Sequence, residues 1–94
     1  MNKSDLVRMA AKRTSVTIPV ADDVISAFLD LLVLNLATEQ DVSIRGFGKF
    51  EPRTRPPVTL RRPTDGEPID VAARRTAVFL PSMALKERLN EHPS

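Results

Sequence analysis

The chain has 94 residues, room for one domain, and its 41% apolar and 28% charged residues suit a globular rather than a disordered protein. It has no cysteine, which excludes a disulfide framework, a zinc–thiolate site and a thiol nucleophile, and which suits a reducing cytosol. The net charge of +2 is unevenly placed: residues 1–44 hold four basic and six acidic groups, residues 45–75 hold eight and four, and residues 76–94 balance.

Catalysis has few means here. The lone histidine, His92, is the third residue from the end, and no Gly-rich phosphate loop is present. No nucleophile–base pair or metal-ligand set emerges, so no catalytic residue, cofactor, metal or small-molecule substrate is expected. No run of 18 apolar residues occurs, and Lys3, Asp5 and Arg8 stand where a signal peptide would be apolar. Neither membrane spanning nor secretion is expected.

Taken in chain order, Asn2 reads as an N-cap with Asp5 in the capping-box position. Leu6, Val7, Met9 and Ala10 form an apolar stripe, which predicts a helix over about 3–13. Residues 14–17 break it. Thr17 reads as the next N-cap, Pro19 fits a helix start, and Asp22 and Asp23 are expected in the first turns, where the helix dipole favours negative charge. This second helix should reach about Thr38. From Val24 to Ala37 only Ser26, Asp30 and Asn35 are polar, so 11 of 14 residues are apolar and the helix should be buried nearly all round.

Glu39-Gln40-Asp41 is a polar turn, after which Val42, Ile44, Phe47 and Phe50 lead into β structure. Gly46 and Gly48 flank Phe47 and suggest a bend or close backbone approach. Phe47, Phe50 and Phe79 read as core rather than as a base-stacking platform. Residues 51–78 hold five of the eight prolines and few large apolar groups, which fits an exposed two-stranded ribbon better than a central strand. Thr64-Asp65-Gly66-Glu67 reads as a hairpin turn with Asp-Gly at its centre. Ile69 and Val71 alternate with Asp70 and Ala72 on the return strand. Ser82 should cap a last short helix containing Met83, Ala84, Leu85, Lys86 and Leu89, with residues 90–94 a frayed tail.

The divisions expected are thus a helical dimerisation body (1–44), a sheet with a ribbon arm (45–80), and a C-terminal helix and tail (81–94). Removing the arm leaves a body of only about 70 residues, barely stable alone. The second helix carries more apolar surface than such a body can cover, and a C2 dimer is the simplest remedy. The eight basic groups of the middle segment, seven of them Arg, suit an anionic partner. A solvated charged face is the plainer reading of the same run.

Met1-Asn2-Lys3-Ser4-Asp5-Leu6, Gly46-Phe47-Gly48-Lys49-Phe50, Arg61-Arg62-Pro63-Thr64-Asp65-Gly66 and Ala84-Leu85-Lys86, in that order and spacing, resemble the bacterial HU/integration host factor family. The resemblance covers essentially the whole chain. It implies an α+β fold: an intertwined dimer with a helical body, a small antiparallel sheet and protruding β-ribbon arms. It also implies an architectural, histone-like, nucleoid-associated protein of the cytoplasm. Such a protein binds the minor groove of double-stranded DNA with little sequence specificity and bends or condenses it. The partner chain would be a second copy or a paralogue.

Carried onto this sequence, the resemblance implies Pro63 as a wedge between base pairs, Arg61 and Arg62 beside it, and Arg53, Arg55, Arg74 and Arg75 along the ribbon. Of the adjacent pair Arg74 and Arg75 only one should face the groove, and the resemblance favours Arg75. Lys3, Lys86 and Gly46 are the implied phosphate contacts on the body. Phe28, Leu32, Leu36, Ile44, Phe47, Phe50 and Phe79 are assigned to the subunit interface. The chain departs from the family pattern at Arg62, where Asn is usual, and at Thr64-Asp65, where the second residue is usually Thr. It departs again at Met83, where Lys is usual, and in the acidic start of its second helix. A dimeric adaptor that offers its basic ribbon to an acidic protein is the rival reading.

Overall fold

The computed structural model describes residues 1–91. Two compact units divide the chain at Asn35/Leu36.

The first unit is a helical hairpin. Helix α1 (Lys3–Thr14) starts with the expected capping box: the Asn2 side chain accepts from the Asp5 N–H at 3.0 Å, and Asp5 accepts from the Asn2 N–H at 3.1 Å. It ends at Ser15, whose φ of 59° is left-handed and whose N–H bonds the Ala11 carbonyl. Helix α2 (Ile18–Ala37) is capped by Thr17, which accepts from the Val20 N–H at 3.3 Å. Asp22 and Asp23 fall beyond the first turn, where the dipole has faded. Asp22 instead lies 4.0 Å from the Lys3 ammonium, which also donates to the Ser26 hydroxyl at 2.8 Å.

The hairpin's core is small. Val7, Ala11 and Ala21 are buried and Ile25 packs against them. The expectation that α2 is buried nearly all round fails within a single chain. Ala21 is its one buried residue, whereas Phe28, Leu31, Val33 and Leu34 are 51–65% exposed. One partner helix covers one stripe of a cylinder, and α2 is apolar on more than one.

The second unit holds strands β1 (Val42–Ile44), β2 (Gly48–Arg55), β3 (Val58–Arg61), β4 (Pro68–Val71) and β5 (Arg74–Pro81), then helix α3 (Met83–Glu91). β1, β2 and β5 form an antiparallel sheet in the order β1-β2-β5, and β3 and β4 form a second antiparallel pair. β1 turns into β2 through Ile44–Phe47, where the Phe47 N–H bonds the Ile44 carbonyl at 3.0 Å and Gly46 has φ +77°. A positive φ at the third position is the type II geometry that favours glycine. Phe79 stacks obliquely on Phe47 and Phe50, with centroids 5.2 and 4.9 Å apart. Phe50 is half-buried, but Phe47 and Phe79 remain 43% and 38% exposed, so these rings are core only in part. Leu32, Leu36 and Ile44 are half-buried as well.

Ser82 caps α3 by accepting from the Leu85 N–H at 3.0 Å. The helix continues through Asn90 and Glu91, where a frayed tail was expected, and Asn90 donates to the Lys86 carbonyl. The rest of that tail, with His92, lies outside the described residues. Among the described residues no helix is long and apolar enough to cross a membrane.

Gly48 is the buried start of β2. A Cβ there would sit 2.6 Å from both the Leu80 carbonyl oxygen and the Phe79 ring. Gly48→Ala is therefore expected to destabilise the protein by about 1–3 kcal/mol, read as a lower thermal unfolding midpoint, whereas a change at open, exposed Thr64 should leave that midpoint nearly unmoved.

Candidate nucleic-acid interface

The ribbon is built by one register. Gly48 pairs with Pro81, Arg55 with Arg74, Val58 with Val71 and Arg61 with Pro68. The two residue numbers sum to 129 in every pair. Residues 56–57 and 72–73 carry no strand pairing, yet the count resumes unchanged beyond them. Pro56 and Pro57 remove two N–H donors, and equal lengths on both strands keep the gap from becoming a bulge.

Side chains alternate between faces along a strand, and directly opposed residues share a face. The register therefore sorts the ribbon. Within β2·β5, Arg53 and Arg55 share a face with Thr76 and Arg74; within β3·β4, Thr59 and Arg61 share a face with Asp70 and Pro68. The opposite face of β2·β5 carries Thr54 and Arg75, and that of β3·β4 carries Val58 and Leu60 across from Val71 and Ile69. All residues from Arg53 to Asp70 are exposed.

This sorting divides the set Arg53, Arg55 and Arg75 that the resemblance favours. Arg74, not Arg75, shares a face with Arg53 and Arg55. Arg75 points the other way, donates to the Ala37 carbonyl and pairs with Glu39 at 3.3 Å. Ala37 ends α2, and a guanidinium there meets unsatisfied carbonyls. The adjacency of Arg74 and Arg75 shows that they split between faces, but choosing between them needs the cross-strand register.

The tip differs from the expected Asp-Gly-centred turn. Four residues, Pro63–Gly66, connect the closing pair Arg62 and Glu67, and Gly66 is last among them, with φ +74°. The Arg62 N–H bonds the Glu67 carbonyl at 2.8 Å, and the Gly66 N–H bonds the Arg62 carbonyl at 2.9 Å. Pro63 opens this loop at the far end of the ribbon. Arg61 donates to the Gly66 carbonyl at 3.0 Å, Arg62 pairs with Asp65 at 3.3 Å, and Asp65 accepts from the Glu67 N–H at 3.0 Å.

The remaining expected contacts lie on three different elements. Lys3 begins α1 in the first unit, Gly46 lies in the β1–β2 turn, and Lys86 lies in the second turn of α3, its N–H bonded to the Ser82 carbonyl. Met83 is 70% exposed at the first position of α3.

A charged row on β2 went unnoticed in the sequence. Lys49, Glu51 and Arg53 alternate on one face, with Glu51 at 3.0 Å from Lys49 and 2.8 Å from Arg53, while Lys49 also lies 3.9 Å from Asp41. The signal was a period-2 charge alternation, legible once 49–53 is known to be a strand. The hydrogen bond from Arg53, then that from Lys49, holds the Glu51 carboxyl below its ordinary value of 4.5. The hydrogen bond to Glu51 and its charge raise Lys49 above 10.5. Stability from Glu51 is thus present above its unfolded-state value and is lost as the pH falls through its folded one. Stability from Lys49 is present below its unfolded-state value and is lost as the pH rises through its folded one. An NMR titration of the Glu51 carboxyl should give a midpoint below 4.5 that rises toward it in Arg53→Ala.

Comparison with known proteins agrees with this geometry. The family model described as "Bacterial DNA-binding protein" matches residues 1–90. DNA-binding protein HU-1 of Halalkalibacterium halodurans is 37% identical over 87 residues, covering 93% of this chain and 97% of that one. Integration host factor subunit alpha of Albidiferax ferrireducens is 33% identical over 91 residues, covering 97% and 89%. Among solved structures, the Anabaena HU–DNA cocrystal structure superposes with a TM-score of 0.82 at 32% identity, covering 95% of this chain and 97% of that one. The three helices and the antiparallel strands with their ribbon are the α+β fold of these neighbours. The chain belongs to the bacterial HU/integration host factor family, whose members are DNA-binding proteins rather than enzymes.

Proposed function

We propose that the protein is an architectural component of the bacterial nucleoid that grips double-stranded DNA through its minor groove, reads shape more than sequence, and bends it. The observation that carries this reading is the exposed ribbon, whose register sets Arg53, Arg55 and Arg74 on one face of β2·β5 and Arg61 at the end of β3 near the Pro63 loop. Arg is drawn to the strong negative potential of a narrow minor groove. That groove's hydrogen-bond pattern is degenerate, so shape and deformability dominate over base identity. Likeness to an HU–DNA cocrystal structure supports the same reading.

Pro63 supplies a rigid apolar ring with no N–H to desolvate, suited to enter between stacked base pairs. HU and integration host factor are themselves the standard examples of such wedges, with unstacking costing a few kcal/mol per step, offset by contacts the bend permits. Lys3, Lys86 and Gly46 are assigned to phosphates on the body, and Arg75 is given a structural rather than a groove-facing role.

The working unit is a dimer. Among the described residues only Val7, Ala11 and Ala21 form a buried core, while Phe28, Leu31, Val33 and Leu34 stay more than half exposed. A second copy offers the matching apolar face, with Phe28, Leu32 and Leu36 of α2 and Ile44, Phe47, Phe50 and Phe79 of the second unit at the interface. Its site of action is the cytoplasm.

Arg55→Ala and Arg74→Ala should each weaken duplex binding about three- to tenfold and flatten the log–log salt dependence by about 0.9, measured by gel shift across a salt series. Arg75→Ala should leave that slope unchanged. Pro63→Ala should keep affinity within about tenfold while reducing the bend, seen as lower energy transfer between dyes on the DNA ends. No shift of any duplex at low salt would overturn the reading in favour of an acidic protein partner. Sedimentation should show a dimer, and Phe28→Asp should dissociate it with loss of helical circular dichroism.

A further inference from the structure

Arg75 makes its bonds on the back of the ribbon. It stands opposite Thr54, one pair inside the outer end of β2·β5. Its Nη1 donates to the Ala37 carbonyl, and its Nε lies 3.3 Å from Glu39 Oε1. Ala37 ends α2, and Glu39 leads into β1, which lies on the other side of β2 from β5. The Arg75 side chain therefore crosses β2 on the face it shares with Thr54. β1 pairs with β2 only from Gly48 to Phe50, so from Glu51 outward β5 is the one strand beside β2 among the described residues. The Arg75 guanidinium spans that open edge.

Glu39 has a φ of 63°, and its N–H bonds the Leu36 carbonyl at 3.1 Å. Glycine rests more easily in this left-handed conformation at a helix end. What glutamate adds there is a carboxylate within reach of Arg75. The ion pair by itself is exposed and weak. The Ala37 carbonyl is a second acceptor, fixed by the helix end, and the planar guanidinium meets both at once.

We propose that Arg75 is a positioning residue for DNA binding. It ties the outer rungs of β2·β5 to the turn after α2, and so holds Arg53, Arg55 and Arg74 in line on the opposite face without touching DNA itself. This rests on the reading of the ribbon as the DNA-binding surface. A ribbon already held in its binding geometry gives up less freedom when it meets a duplex. Loss of Arg75 therefore lowers affinity through the geometry of its neighbours. The number of phosphates neutralised stays the same, and with it the salt dependence.

Binding of the full chain to an intact duplex across a salt series separates positioning from contact. Arg75→Ala should weaken binding about three- to tenfold at an unchanged log–log slope. Amide hydrogen exchange on the free protein gives a second readout. In Arg75→Ala the rungs formed by residues 53–55 and 74–76 should exchange about fivefold faster, while those formed by 48–50 and 79–81 stay unmoved. Glu39→Gln keeps an oxygen for the guanidinium and should stay close to wild type in both readouts. Glu39→Gly eases the backbone and removes the acceptor. Its thermal midpoint should not fall, yet its outer rungs should exchange faster and its binding should weaken at an unchanged slope. Adding Glu39→Gly to Arg75→Ala should change neither readout further. A flatter slope in Arg75→Ala would make Arg75 a phosphate contact, and evenly faster exchange of all rungs would make its role one of general stability; each overturns the proposal. If the wild type binds no duplex, the DNA-binding reading falls, and this proposal with it; normal wild-type binding that neither Arg75→Ala nor Glu39→Gly alters overturns this proposal alone.

Discussion

An antiparallel register carried without slippage from Gly48–Pro81 to Arg61–Pro68 decides what each face of the ribbon presents. A shift of one residue on either strand would exchange every side chain between faces. The two prolines at 56–57 break the hydrogen-bond ladder at a point where β-structure would otherwise run on. Because 72–73 opposite is interrupted over the same length, the break changes pairing but not parity. The ribbon therefore pairs Arg55 with Arg74 below the break and Arg61 with Pro68 above it. The interruption also leaves the outer pair β3·β4 as a short hairpin, the kind of element that is marginally stable alone. Contact with a partner would add to the stability of such a hairpin.

The second constraint is burial. α1 and α2 share a core of three small side chains, while most of the large apolar groups of α2 remain exposed. Burial of about 25 cal/mol per Å2 of apolar surface is the main favourable term in folding, and this chain leaves much of that surface unused. On the dimer reading, a subunit of this kind would gain its stability from association, and the apolar patterning of α2 would be a statement about assembly. Two subunits would also bring two ribbons to one object, which suits a partner as long and regular as duplex DNA.

Charge is arranged with more restraint than the composition suggests. Residues 45–75 carry eight basic groups, yet Lys49 and Arg53 share Glu51, Arg62 holds Asp65, and Arg75 holds Glu39. These are exposed pairs of small individual strength, easily exchanged for phosphate. Their effect is on competition: a paired cation must leave its carboxylate before it meets an external anion. Arg45, Arg55 and Arg74, without such partners among the described residues, are the cations most readily offered.

The caps at Asn2, Thr17 and Ser82, the helices they begin, and the approximate course of the ribbon were legible in the sequence. Each follows from local chemistry: a side-chain oxygen one turn from an orphan N–H, a 3.6-residue apolar period, prolines that a central strand rejects. The family was legible too, because its motifs are short and ordered along the chain. Three features were not. Arg74 and Arg75 look equivalent until the opposite strand says which one joins Arg53 and Arg55. The tip reads as an Asp-Gly turn until the bonds between Arg62 and both Gly66 and Glu67 place Gly66 at its end. The apolar excess of α2 is visible as composition, but only packing shows how little of it one chain covers. In each case the deciding contact joins residues far apart in sequence or closes a loop whose length no local preference sets, and such contacts are properties of the folded chain.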